Sequence, residues 1–409
     1  MDWGCSRRRW RYDGALQAAK VNVLILTAAF GDGHNSAAKH VALALEEIGV
    51  DAEVVDLFQE ASPMVATTLR AGYRAAITHW PWVWQKLYRL ADKVSYEAKS
   101  WDVFGSLAQV LAARLARRPV DAIVSTYPLY AHLLQRLRRG DLPCKLPPLF
   151  TVVTDSGHVN RAWIGAQSDW FLVPDERTAV HLRTLGVPGA EIRVTGFPVH
   201  PDFARPLDPP VHECRGVLYF PLNGNREIRR TLQQLVPVLR RHRQPLTAAL
   251  GRHYGRLYYL FRNFAESHPD LEIEFLGWTD QVPRLLRSCK LAIGKAGGAS
   301  VQEVIAAACP MIINYVVPGQ EEGNAELLKG VGGGILAPTP AEVAAAVDRL
   351  LAHEGLDELQ QMRRALKKIA RPAAALDVAR LMLKQLDLPA ENVTRDSLMP
   401  ALDDGAGAA

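Results

Sequence analysis

The strongest chemical signal in the sequence is the run Gly294-Lys295-Ala296-Gly297-Gly298-Ala299-Ser300, which follows an apolar strand pattern and opens a helical one. Backbone N–H groups at such a helix start point outward and, with the helix dipole, suit a phosphate. Gly297 and Gly298 permit a close approach that a side chain would block. No Lys-Ser/Thr pair follows the glycines, so this is not a Walker loop. Glu303, early in the same helix, can accept hydrogen bonds from ribose hydroxyls, as acidic residues do beside other nucleotide loops. The plainer alternative is a tight strand-to-helix turn with a surface glutamate. Beyond the next strand, Gln320, Glu321 and Asn324 are hydrogen-bonding groups suited to a sugar, or to a polar turn opening a helix. Taken together, the two segments describe one pocket for phosphate, ribose and hexose.

These loops need strands and helices to hold them. Apolar strands are expected at Val21–Thr27, Ala52–Leu57, Val120–Ser125, Leu149–Thr154, Trp170–Val173 and Ile192–Thr195. After a proline-rich passage from Pro201 to Pro210 the alternation resumes at Val217–Phe220, Thr247–Leu250, Glu272–Leu276, Leu291–Ile293 and Met311–Ile313. The loop Ala28–His34 leaves the first strand, and a helical period opens at Asn35 and stops at Gly49. Alternating strands and helices predict an α/β protein with parallel sheets covered on both faces, whose ligands bind beyond the carboxyl strand ends.

The chain has 409 residues, more than one hydrophobic core usually serves, so two domains are expected. The reading divides it into a basic segment 1–20, an N-terminal domain 21–205, a C-terminal domain 206–375, a closing helix 376–388 and a disordered tail 389–409. Five scattered cysteines argue against a disulfide framework or zinc site and suit a reducing compartment. No apolar run is long enough to span a bilayer, and the arginines before residue 12 lead into no signal-peptide core. Residues 61–120 carry nine Lys/Arg against three acids, together with eight aromatics. That mixture suits an anionic membrane surface, or a solvated helical face with core aromatics. No helix-turn-helix, zinc finger or aromatic RNA-binding signature supports nucleic acid as a partner.

The run from Gly294 through Glu303, with Pro318-Gly319-Gln320-Glu321 and Asn324, resembles the donor site of the diacylglycerol glycosyltransferases. These include the monogalactosyldiacylglycerol synthases and processive glucosyltransferases, relatives of the peptidoglycan lipid-intermediate transferases. Gly31-Asp32-Gly33-His34-Asn35-Ser36-Ala37-Ala38 is similar to the Gly-x-Gly-His-x-x-Ala-Ala of the same family. Asp121–Pro128, Thr154-Asp155, Trp163, Gly196–Val199 and Gly277-Trp278 also fall in family order. The resemblance implies the GT-B architecture: two Rossmann-like domains facing a cleft, a UDP-galactose or UDP-glucose donor on the C-terminal half, and diacylglycerol on the N-terminal half.

Within that picture the candidate catalytic residues are His34 and Asp155. His34, where the first helix begins, can deprotonate an acceptor hydroxyl or meet a lipid phosphate; the alternative is a histidine fixing its own loop. A helix N-terminus disfavours its imidazolium. Asp155 is a second candidate base, or a cap for the turn at Ser156-Gly157. The donor-binding set is Gly294, Lys295, Gly297, Gly298, Glu303, Gln320, Glu321, Asn324, Gly224 and Arg252. The acceptor and membrane set is Gly33, Asn160, Trp82, Trp84, Tyr88, Arg70, Arg74 and Lys86, with Lys93 for anionic headgroups. No Asp-x-Asp stands at a strand end near the donor loop, so neither metal nor cofactor is expected, and the UDP-sugar is a substrate.

The sequence departs from the family at three places. Asn160 stands where relatives carry a histidine, Tyr127 replaces the histidine of Ser-Thr-His-Pro, and the loop after the first C-terminal strand is reduced to Asn223-Gly224-Asn225. The competing functions are a nucleotide-sugar 2-epimerase, a dinucleotide oxidoreductase built on Gly31-x-Gly33 with Asp56, and a non-catalytic nucleotide-sugar binder. The expected location is the inner face of the cell membrane, as a peripheral protein.

Overall fold

The computed structural model describes residues 21–79, 103–139, 146–157, 159–210, 213–221, 224–318 and 321–386. Strands β1 (Asn22–Thr27), β2 (Asp51–Asp56), β3 (Ala122–Ser125), β4 (Leu149–Val152), β5 (Trp170–Val173) and β6 (Ile192–Val194) form one sheet in the order β2-β1-β3-β4-β5-β6. Strands β7 (Val217–Tyr219), β8 (Leu246–Ala249), β9 (Ile273–Leu276), β10 (Leu291–Lys295), β11 (Met311–Tyr315) and β12 (Gly334–Leu336) form the second, ordered β12-β11-β10-β7-β8-β9. Every pairing is parallel.

Parallel strands covered on both faces read as unbroken apolar runs, and Val23 to Leu26 in β1 are all buried. Edge strand β2 leaves Val54 42% exposed. The strands follow the expected alternation, with β12 in addition. That strand is three residues long, glycine-flanked and only partly buried, so it carries no apolar run to read.

Helices α1 (Asp32–Glu47), α2 (Leu57–Ala61), α3 (Pro63–His79), α4 (Val103–Arg117), α5 (Leu129–Arg139) and α6 (Glu176–Thr184) belong to the first half. The second half carries α7 (Asn225–His242), α8 (Tyr254–Glu266), α9 (Val282–Ser288), α10 (Gly298–Ala306), α11 (Glu322–Gly330), α12 (Pro340–Leu351) and α13 (Leu356–Ile369). Helix α14 (Ala374–Gln385) then returns to the first half. Its Ala375, Leu376, Val378, Ala379, Met382 and Leu383 join the core built on Val41 and Leu45 of α1.

Helix α1 begins at Asp32, ahead of the apolar period that opens at Asn35. Its first turn faces the space between the halves instead of the core, so it has no apolar signature. The expected linker is pinned to both halves. Phe203 packs in a second-half core, Arg205 pairs with Glu47 at 2.7 Å, and Arg287 donates to the Arg205 carbonyl at 2.6 Å.

Strand order turns over between β1 and β3 in one sheet and between β7 and β10 in the other. Crevices open outside the carboxyl ends of such strand pairs. The loops after β1 and β10 are the two glycine loops singled out in the sequence.

Candidate functional site

A cavity of about 150 Å³ lies between the halves. The first half lines it with Gly31 to His34, Tyr73, Thr154 and Asp155, and the second with Lys295, Gly297 to Ser300, Val317, Glu321 and Asn324. Two helix N-termini, those of α1 and α10, open onto this space.

On the first-half wall the chain leaves β1 and turns through Gly31, whose φ of 129° and ψ of 149° are open to glycine and to little else. Helix α1 starts at once, and His34 falls in its first turn. His34 Nδ1 stands 2.8 Å from the Thr154 hydroxyl, and its ring meets Tyr127 edge-on at 5.1 Å with Trp163 at 6.1 Å. Burial among these groups holds His34 below the ordinary histidine pKa, against the opposing pull of the Asp155 carboxylate. The imidazole is therefore neutral near pH 7.

Asp155 accepts a hydrogen bond from the Trp163 indole N–H at 2.7 Å. It is not the cap of the Ser156-Gly157 turn, because the Gly157 N–H goes to the Thr178 hydroxyl at 2.8 Å. Asn160 lies outside the cavity. Its side chain accepts from the Ala162 N–H at 2.9 Å and caps the short turn Arg161–Trp163, which carries Trp163 to Asp155.

The second-half wall is made of backbone and one ion pair. Gly297 precedes the first residue of α10 with an ordinary φ of −67°, so its conformation does not demand glycine. A Cβ there would sit 3.2 Å from Lys295 Cε and 3.3 Å from its Nζ, so that side chain would have to give by a few tenths of an ångström. Lys295 Nζ donates to Glu321 Oε1, and Glu321 Oε2 accepts from the Val317 N–H at 3.0 Å. Glu321 is 6% exposed. The Asn324 amide donates to the Ala296 carbonyl at 3.1 Å. Two groups expected to meet sugar hydroxyls thus already hold the loops that form the wall. Gly294 lies buried within β10 behind them. Glu303 sits half-buried on α10, outside the cavity lining, and burial lifts its carboxyl to about 7.

Side-chain contacts near the cavity also bridge the halves. Gln302 donates to the Ser156 hydroxyl at 3.0 Å, and Arg252 pairs with Asp32 at 2.5 Å while its guanidinium lies 5.9 Å from the Trp278 ring. Arg252, expected at the donor, is therefore engaged with the first glycine loop. Gly224 is the exposed residue just before α7.

On α3, Arg70 has partners within the protein. Its guanidinium pairs with Asp56 at 2.7 Å and donates to Gln59 at 2.8 Å, which ties α3 to the end of β2. Arg74 is on the same helix. Trp82, Trp84, Tyr88, Lys86, Lys93 and Gln320 lie outside the described residues. Met64, Val65 and Leu69 on α3 are exposed, at 81%, 49% and 43%. Tyr73, not singled out in the sequence, reaches the cavity and meets Phe30 of the glycine loop edge-on at 6.3 Å. No local spacing announces it, because the contact joins a helix to a distant loop.

The sequence model of the monogalactosyldiacylglycerol (MGDG) synthase family matches residues 34–199. A processive diacylglycerol beta-glucosyltransferase of Bacillus pumilus is 24% identical over 385 residues, covering 91% of this chain and 97% of its own. The chloroplastic monogalactosyldiacylglycerol synthase of Spinacia oleracea is 28% identical, with 87% and 71% covered. Among solved structures, S. aureus MnaA with UDP superposes with a TM-score of 0.59 at 13% identity, covering 90% of this chain and 98% of its own. Acinetobacter baumannii MurG gives 0.53 at 16%, covering 89% and 99%. At such identities the structural likeness speaks to the fold, which is GT-B. The sequence relatives are those that the two glycine loops resemble.

Proposed function

We propose that this chain is a hexosyltransferase that moves galactose or glucose from a UDP-sugar to diacylglycerol at a membrane surface, inverting the anomeric centre. Its named relatives glucosylate diacylglycerol or make monogalactosyldiacylglycerol, and the S. aureus structure holds UDP. The observation that carries the reading is the apposition in one cavity of a neutral histidine beside a carboxylate and, across from them, the N-terminus of α10.

The chemistry follows from the two walls. In the tautomer that gives Nδ1–H to the Thr154 hydroxyl, Nε2 keeps a lone pair and can take the proton of an acceptor hydroxyl. Asp155, anchored by Trp163, stabilises the imidazolium that forms. The hydroxyl oxygen attacks the anomeric carbon from the face opposite UDP, and this single displacement inverts the centre. The departing diphosphate gains negative charge, which the α10 N–H groups meet.

The acceptor side is supported by the apolar residues Met64, Val65 and Leu69 exposed on α3, whose Tyr73 lines the cavity. Among the described residues no helix is long and apolar enough to cross a membrane, so the proposed attachment is peripheral, at the inner face. Radiolabelled UDP-galactose and UDP-glucose, each incubated with the protein over diacylglycerol vesicles, test the reading. Label entering the lipid phase from one donor establishes the transfer and identifies the sugar. Label confined to water, with UDP still bound, removes the acceptor assignment.

A further inference from the structure

Glu321 has both carboxylate oxygens engaged: Oε1 takes the Lys295 ammonium and Oε2 the Val317 N–H at 3.0 Å. It also stands at the start of α11, where the helix dipole favours a negative charge. A buried carboxylate held this way is poorly disposed to turn toward a sugar, because leaving would strand a charge on each side. Lys295, in contrast, keeps donors to spare. An ammonium has three N–H groups, Glu321 takes one, and the side chain remains 32% exposed on the cavity wall. The start of α10 is its neighbour, since the Lys295 Nζ lies 3.3 Å from where a Gly297 Cβ would stand. Glu321 Oε1 lies 3.6 Å from the same point, so the carboxylate holds the ammonium beside the start of α10.

We propose that Glu321 is a positioning residue and not a sugar ligand: it fixes the Lys295 ammonium beside the α10 N-terminus as the cavity's cation for the donor diphosphate. The inference rests on the UDP-sugar reading above and specifies which part of the donor each side chain serves. The hexose is left to groups other than Glu321.

The two roles separate by comparing UDP with UDP-hexose. Calorimetric titration of both ligands into wild type, Glu321→Gln, Lys295→Met and the double variant is the test, with thermal unfolding as the check on folding. Glu321→Gln should weaken UDP and UDP-hexose by the same factor, about tenfold, as expected for a misplaced charge-assisted bond. The double variant should bind UDP no more weakly than Lys295→Met alone. If Glu321→Gln lowers only UDP-hexose affinity and leaves UDP unchanged, Glu321 is a sugar ligand and the proposal is overturned. Should Glu321→Gln fail to fold, Glu321→Asp keeps the charge but withdraws it from Lys295. Its UDP affinity should then fall between wild type and Lys295→Met, and unchanged UDP affinity overturns the proposal equally. A wild-type protein that binds neither ligand refutes the donor reading itself, and this inference with it.

Discussion

Gly31 and Gly297 hold equivalent places in the two halves, each at the carboxyl edge of a parallel sheet and each one residue before a helix. Their backbones differ. Gly31 takes a φ of 129° that other residues avoid, and the turn it makes delivers His34 into the first turn of α1. Gly297 has an ordinary φ, and a side chain on it would crowd the end of Lys295. In the proposed mechanism one loop positions the histidine that takes the acceptor proton, and the other turns backbone amides toward the donor diphosphate. Their surroundings differ accordingly: His34 sits among Thr154, Tyr127 and Trp163, whereas α10 presents N–H groups beside a single ion pair.

The largest effect that can break this contrast is expected at His34. Replacing it with Ala should lower transfer by about 10²- to 10⁴-fold while UDP affinity stays unchanged. Comparable losses in both would mean that the two walls are not separate in function. At Gly31, alanine should cost about 1–3 kcal/mol of stability in denaturant unfolding, because the backbone conformation is strained for any L side chain.

A pH effect of similar size is carried by His40 in the first half and opposed over part of the same range by Glu303 in the second, whose carboxyl is lifted by burial to about 7. His40 on α1 is held at about 4 by burial, its ring bonded to the Pro198 carbonyl at 3.0 Å. The unfolded chain, at 6.5, binds more protons than the native one. Stability is then fully present above pH 6.5 and is lost as pH falls toward 4, by about 3 kcal/mol. His40→Asn should flatten that slope in unfolding measured from pH 7 to 4, and an unaltered slope would remove His40 as its source.

Gly297→Ala should act more gently on the fold, by less than about 1 kcal/mol, while UDP affinity drops about three- to tenfold as Lys295 is displaced. A stability loss as large as that of Gly31→Ala would erase the distinction between conformation and space. Smallest of all, Asp32→Asn should change kcat/KM by less than about threefold and only at low salt, because the Arg252 bridge is solvent-exposed. A larger, salt-insensitive loss would show that Asp32 acts on the chemistry.

Much of the fold was legible because buried parallel strands are continuous apolar runs, and β1, β3 and β5 announce themselves that way. The glycine loops were legible too, since glycine at a strand-to-helix junction is a local feature. Local patterns failed where a residue's partner is distant. Arg70 belongs to a basic, aromatic stretch yet its partner is Asp56, and Arg252 reaches Asp32 across the cavity. Asn160 is polar in a segment read for acceptor contact, and only its bond to the Ala162 N–H makes it a cap.

By itself the sequence determined the alternation of strands and helices, the two halves and the two glycine loops, because periodicity and chain-local sterics are written residue by residue. Tertiary structure alone decided that His34 meets Thr154 beside the Asp155 carboxylate, that Glu321 is closed off by Lys295, and that α14 returns to α1. Those contacts join residues far apart in the chain, and burial, charge pairing and hydrogen bonding act on distances in space that spacing along the chain does not encode.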